Sequence, residues 1–120
     1  YGLIVPVLKG VEKMSLDQVV EAYEVLKSRA KSGQLTSSDM KEATITITNF
    51  GTLGGFAGTP IIPLPNVAIL GLGKIEAVPS VVDGKIEPRE KQMICWSFDH
   101  RLIDGAMAAK LSSLFTSLLS

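Results

Sequence analysis

The chain has a single histidine, His100, held between Asp99 and Arg101 in the stretch SFDHRLIDG (residues 97–105). An imidazole is the side chain best suited to taking a proton near neutral pH. The run before it, Met93 to Phe98, is mostly apolar, and an Asp-Gly pair follows at once, where a helical pattern begins. A strand end feeding a helix is a common place for a side chain to enter a cleft. The apolar strand would partly desolvate the imidazole and favour its neutral form, as a base requires. Asp104 stands four residues on, where its carboxylate could order the local backbone. The plainer alternatives stay open: a part-exposed histidine closing a strand, and an aspartate that only caps the helix.

Other chemistry is thinner. Thr44, Thr46 and Thr48 alternate with Ile45 and Ile47, so three hydroxyls share one face of a strand. One of them, at the strand end beside the glycine-rich GTLGGFAG, could donate to an oxyanion; equally, threonine simply favours strands. Cys95 is five residues from His100, a spacing that on a continuing strand puts the two on opposite faces, so a Cys–His pair is disfavoured. One His and one Cys cannot build a zinc site. GLGKIE (71–76) is close to a dinucleotide loop but lacks the third glycine and a following helix. No Walker loop or G-x-S-x-G elbow is present.

These groups must be positioned by a small globular chain. Of 120 residues, 46% are hydrophobic and 20% charged, with 12 Lys+Arg against 12 Asp+Glu. The even balance gives no case for nucleic acid or an anionic membrane surface. One cysteine fits a reducing compartment. No apolar run reaches the ~18 residues of a membrane span, and no targeting segment is legible. The opening YGLIVPVLKG, without methionine, leads us to expect a fragment of a longer chain.

Periodicity predicts a short strand over 2–8, interrupted by Pro6 and therefore at an edge. Ser15 with Gln18 fits a capping box for a helix over 16–31, ended by Gly33. Strands follow at 44–49 and 67–72, separated by an ordered Gly/Pro-rich loop. Residues 74–82 and 85–98 read as a hairpin turned at Asp83-Gly84. Met93, Ile94, Cys95, Trp96 and Phe98, apolar on both faces, should be buried. Ile103, Met107, Leu111, Leu114 and Leu118 mark a last helix with Asp104 near its N-cap. The order is that of an α+β domain with a mixed sheet flanked by helices.

SFDHRLIDGA closely resembles the D-H-R-x-x-D-G signature of the dihydrolipoamide acyltransferase component of 2-oxo acid dehydrogenase complexes. GLIVPVLKGVEKMSL resembles that family's strand-to-helix entry, and TITITNFGTLGGFAGTPIIPLPNVAILGLGKI its long central block. The wider fold family includes chloramphenicol acetyltransferase. The resemblance implies that residues 1–120 are the C-terminal half of a catalytic domain about twice this length. It implies acyl transfer between dihydrolipoamide and coenzyme A, the lipoyl group riding on a separate domain, with no metal. His100 would be the general base. Thr48, where many members carry serine, would hold the oxyanion, and Asp104 would order the histidine loop; no coenzyme-binding residue is singled out.

A homotrimer with each site between two subunits is implied, together with a larger core that meets decarboxylase and dihydrolipoamide dehydrogenase components. Trp96 and Ala106 beside the motif favour an acetyl or branched-chain acyl group over succinyl. Localisation is expected in a bacterial or archaeal cytoplasm, with a mitochondrial matrix as the alternative. Two rivals remain: a same-fold acyltransferase with an alcohol or amine acceptor, and a non-catalytic assembly core.

Overall fold

The computed structural model describes residues 2–119. They fall into two compact units, divided between Ala43 and Thr44.

The first unit is built around one helix, α1 (Leu16–Lys31). Ser15 Oγ accepts from Gln18 N at 3.3 Å and Gln18 Oε1 accepts from Ser15 N at 2.8 Å, which closes the expected capping box. Arg29 and Lys31 lie in its last turn, where the helix dipole favours cations. A second capping box, Thr36 with Asp39, opens a 3₁₀ turn over Ser37–Met40. Arg29 grips the Asp39 carboxylate with both terminal nitrogens, at 3.0 and 2.6 Å, and so ties α1 to this turn. Thr36 N–H, then the Arg29 guanidinium and the Thr36 hydroxyl, pull the Asp39 carboxyl down to about 2.

The strand expected at 2–8 does not form. Its apolar alternation is real, but the segment has no ladder to join. Pro6 lacks a donor, and Val7 N donates to Asp39 O at 2.8 Å, outside any sheet. The segment is extended chain lying on the 3₁₀ turn.

The second unit is a three-stranded mixed sheet in the order β1-β2-β3, with β1 (Ile45–Asn49), β2 (Ala68–Val82) and β3 (Lys85–Phe98), followed by α2 (Gly105–Leu119). β1 runs parallel to β2, and β2 antiparallel to β3. The turn at Asp83-Gly84 has both residues at positive φ, 50° and 78°, the twist that suits a two-residue hairpin.

The sequence reading broke the second strand at Gly73. The chain instead runs through as one strand with an irregularity between Leu72 and Ile75. Gln92 Nε2 donates to Gly73 O at 2.7 Å and Lys74 N to Gly55 O at 2.8 Å, so the polar groups displaced from the ladder find other partners. The glycines here are dictated by close approach. A Cβ on Gly73 would collide with the Phe56 carbonyl, and one on Gly71 would meet the Phe50 ring at 2.7 Å. Beyond Leu72 the hairpin leaves β1 behind, and Pro79 pairs directly with Pro88 along this free arm.

Residues in one row across a sheet share a face. Ile47, Leu70 and Trp96 form one row; Trp96 stacks on Phe98 and meets Phe115 of α2 edge-on at 5.7 Å, so α2 covers this face at its β3 side. The next row, Thr48, Gly71 and Cys95, lies on the opposite face, under the loop that carries Phe50. The core is Ala68, Ile69 and Leu70 in the central strand.

One expectation about burial is corrected. Met93 is exposed and residues 94–98 are only half-buried, because one helix and one loop cover the end of β3 incompletely. In β1 the isoleucines are the bare side, with Ile47 63% exposed, while Thr46 and Thr48 are half-covered. Thr46 Oγ1 donates to Oδ1 of the buried Asn66 at 3.0 Å, which gives the polar face an internal partner.

Candidate active site

β3 ends at Phe98, and the next residues form a tight turn that delivers the chain to α2. Asp99 holds this turn. Its N–H donates to Val67 O at 2.8 Å, fastening it to the residue before β2, and its carbonyl accepts from Leu102 N at 3.0 Å and Ile103 N at 2.9 Å. Its carboxylate receives Arg101 Nε at 2.9 Å, Arg101 Nη2 at 2.8 Å and Arg101 N at 3.1 Å. The Arg101 guanidinium, and then its N–H, hold the Asp99 carboxyl down to about 2. His100 is thus enclosed between two neighbours that bind each other. Sequence reading saw three charges in a row and missed this clasp. The only trace in the sequence is a carboxylate two residues before an arginine at a strand end, a spacing that does not by itself join the two.

The His100 side chain is exposed. The expected desolvation by the preceding strand is therefore not supplied within this chain: the apolar side chains of β3 stand on the two faces of the sheet, and His100 lies past the end of the strand, exposed.

Asp104 caps α2. Its Oδ1 accepts from Met107 N at 2.8 Å, and its carbonyl accepts from Ala108 N at 2.9 Å. One carboxylate oxygen is committed to the start of α2.

Thr48 is brought nowhere near His100. It pairs with Gly71, which pairs with Cys95, whereas His100 lies two residues past Phe98, the partner of Ala68. Phe98, where β3 ends, is three residues along the strands and two strands across from Thr48. At ~3.3 Å per residue and ~4.8 Å per strand, the two are separated by about 14 Å, and His100 lies in the turn beyond. One chain therefore presents its histidine past the end of β3 and its hydroxyl on the far edge strand. Asn49, next to Thr48, closes its own turn by accepting from Gly51 N at 3.0 Å, which fixes the strand end.

Cys95 is half-buried, in the same row as Thr48. Among the described residues, no group of three or more His, Cys, Asp or Glu side chains is placed to hold a metal ion, and no helix is long and apolar enough to cross a membrane.

Comparison with known proteins gives this geometry a context. The chain is 42% identical over 107 residues to the dihydrolipoyllysine-residue succinyltransferase component of the 2-oxoglutarate dehydrogenase complex of Schizosaccharomyces pombe mitochondria, covering 89% of this chain and 24% of that protein. It is also 42% identical over 119 residues to the dihydrolipoyllysine-residue acetyltransferase component of the Staphylococcus aureus pyruvate dehydrogenase complex, covering 99% and 28%. Among solved structures, the dihydrolipoamide acetyltransferase of Azotobacter vinelandii superposes with a TM-score of 0.87 at 42% identity, over 98% of this chain and 49% of that one. The cubic core of a pyruvate dehydrogenase multienzyme complex gives 0.84 at 42%, again over 98% and 49%.

The chain thus spans about a quarter of the curated relatives and about half of the solved chains. The study of the Azotobacter enzyme addresses a serine, a histidine and an asparagine in its catalytic mechanism, the first two 52 positions apart and the third four further on. Thr48, His100 and Asp104 keep both intervals. The family model for the catalytic domain of 2-oxoacid dehydrogenase acyltransferases matches residues 1–120, and the chain belongs to that family.

Proposed function

We propose that residues 1–120 are the C-terminal half of an acyltransferase catalytic domain that moves an acyl group between dihydrolipoamide and coenzyme A. The observation that carries this reading is the shared spacing of Thr48, His100 and Asp104. His100 acts as general base and Thr48 as oxyanion donor; Asp104 is a positioning residue that starts α2 at the right place.

The chemistry follows from these roles. His100 takes the proton from an incoming thiol, and the thiolate sulfur attacks the carbonyl carbon of the acyl thioester. The carbonyl electron pair moves to oxygen, and the Thr48 hydroxyl donates a hydrogen bond to that oxyanion. Collapse reforms the carbonyl and expels the second thiolate, which takes the proton back from the imidazolium. A thioester is exchanged for a thioester, so the step needs no metal and no covalent enzyme intermediate. A base of this kind contributes ~10²–10⁴-fold, and one oxyanion donor about 10²–10³-fold.

The ~14 Å between Thr48 and the end of β3, with His100 in the turn beyond, supports a site shared between chains, with the histidine from one copy and the hydroxyl from its neighbour. A closed ring of head-to-tail contacts supplies that arrangement at every interface. We take the ring to be a homotrimer within a larger core that meets the decarboxylase and dihydrolipoamide dehydrogenase components.

The acyl group we favour is acetyl or branched-chain in preference to succinyl. Trp96 and Ala106 flank the motif with apolar surface, and Arg101, its one cation, is spent on Asp99. The lone Cys95 fits a reducing compartment, which we take to be a bacterial or archaeal cytoplasm.

The test is acyl transfer from acetyl-CoA to dihydrolipoamide by the full-length protein beside His100→Ala. A fall of about 10²-fold or more supports the reading. Large assemblies with turnover that ignores His100 would instead mark an assembly core, and transfer to an alcohol or amine but not to dihydrolipoamide a different acceptor.

A further inference from the structure

We infer that Asp99 and Arg101 are positioning residues, whose ion pair across His100 sets the direction in which the turn presents the imidazole. The inference rests on the reading of His100 as base and goes beyond the three residues that reading names.

The geometry argues for orientation over stability. The Arg101 side chain is 83% exposed, and ion pairs of that kind stabilise a fold little. Yet this pair is fully made: two guanidinium nitrogens on two carboxylate oxygens, plus Arg101 N on the same carboxylate. A planar fork of this sort fixes direction as well as distance. It spans two residues, so the only backbone it closes is that of His100. Its inner end is anchored, because Asp99 N bonds Val67 O and Asp99 O receives Leu102 N and Ile103 N. The outer end is free, and the histidine it encloses is exposed. The clasp rigidifies the base from behind and leaves its face open to a neighbouring copy and to substrate.

The pair also balances charge. Asp99 and Arg101 flank His100 in the chain on either side, and the third charged group of the turn, Asp104, is turned onto Met107 N. With the pair intact, the two flanking charges cancel. Without Arg101 an unbalanced anion lies beside the imidazole and favours its protonated form; without Asp99 an unbalanced cation favours the neutral form. The two losses must therefore move the acid limb of the rate profile in opposite directions.

The experiment uses the full-length, assembled protein, with acetyl-CoA and dihydrolipoamide as substrates. Asp99→Asn and Arg101→Gln are compared with His100→Ala and with the Asp99→Asn/His100→Ala double variant. Each single variant should lower kcat by about tenfold to a hundredfold, the scale for a base misplaced by about an ångström, with KM for both substrates nearly unchanged. The acid limb should move to higher pH in Arg101→Gln and to lower pH in Asp99→Asn. The double variant should be no slower than His100→Ala, because Asp99 acts only through the imidazole. Arg101→Gln changes an exposed side chain and gives a readout even if Asp99→Asn fails to assemble.

Two results would overturn the inference alone: single variants as fast as wild type beside an inactive His100→Ala, or losses that multiply in the double variant. A fully active His100→Ala would overturn the base reading and this inference with it.

Discussion

Two inactive versions of this protein should make an active one when assembled together. Thr48 and the end of β3 at Phe98 are about 14 Å apart in one chain, as three strand positions and two strand spacings require, and His100 lies in the turn beyond. A tetrahedral oxyanion and the sulfur that attacks it are within about 3 Å of one another, so a hydroxyl and an imidazole from the same chain cannot serve one reaction centre. Full-length His100→Ala should retain ~10⁻²–10⁻⁴ of normal turnover, and Thr48→Ala ~10⁻²–10⁻³. In a randomly mixed assembly, each site takes its histidine from one copy and its hydroxyl from the next. Each half is intact in about half the draws, so about a quarter of the sites are whole. Turnover should rise to about a quarter of wild type, at least tenfold above either parent. Co-expression with two different tags, purification through both, and chromatographic assay of the acyl-dihydrolipoamide formed would measure it. A mixture no faster than the mean of its parents would show that the histidine and the hydroxyl do not come from different copies, and the shared-site reasoning would fail.

Other consequences are simpler to test. Asp104→Ala should lower the stability of the assembled protein by about 1 kcal/mol, through loss of a helix cap, whereas Asp104→Asn should match wild type in thermal melting and keep most activity, since asparagine caps as well as aspartate. Asp39 and Asp99 are both held down to about 2 in the folded chain, against about 3.9 unfolded. Their contribution is therefore complete above about pH 4 and lost as pH falls toward 2; melting temperatures of wild type and of Asp39→Asn should converge across that window, and a constant difference would refute the assignment. Gly73→Ala should destabilise by about 1–3 kcal/mol, read by denaturant unfolding, because its Cβ has no room beside the Phe56 carbonyl.

What the sequence made legible was local. The Ser15–Gln18 box, the Asp83-Gly84 turn, the Thr/Ile alternation of β1 and the Asp104 cap are all settled by groups within a few residues of one another. What it hid was the partner of each surface. Residues 2–8 alternate like a strand, but a strand needs a neighbour, and Val7 bonds Asp39 instead. Gly73 looked like a break because a glycine inside a strand can equally be a bulge, and only the approach of Phe56 decides between them. The isoleucines of β1 were the natural inward face on composition, yet Thr46 found Asn66, and α2 reached only as far as Trp96. In the site, the roles of His100, Thr48 and Asp104 could be attached to residue types and spacing. The Asp99–Arg101 clasp could not, because charges two apart in sequence are as often turned away from each other as joined.

The proline pair on the hairpin arm bears on how such a protein stays dispersed. Past Lys74 the arm has, among the described residues, no third strand on either edge, and it carries exposed Ile75, Val81 and Ile86, the makings of a template on which further chains could stack. Counting back from the two-residue turn, Val82–Lys85 closes the ladder as a hydrogen-bonded pair, so Pro79–Pro88 falls on a pair whose amides would point outward. Each proline therefore removes a donor from an open edge, both at the same level, without losing a bond inside the hairpin. The arm can keep its apolar side chains available while denying a foreign strand a continuous row of amides, a safeguard against polymerisation written into the backbone and independent of charge.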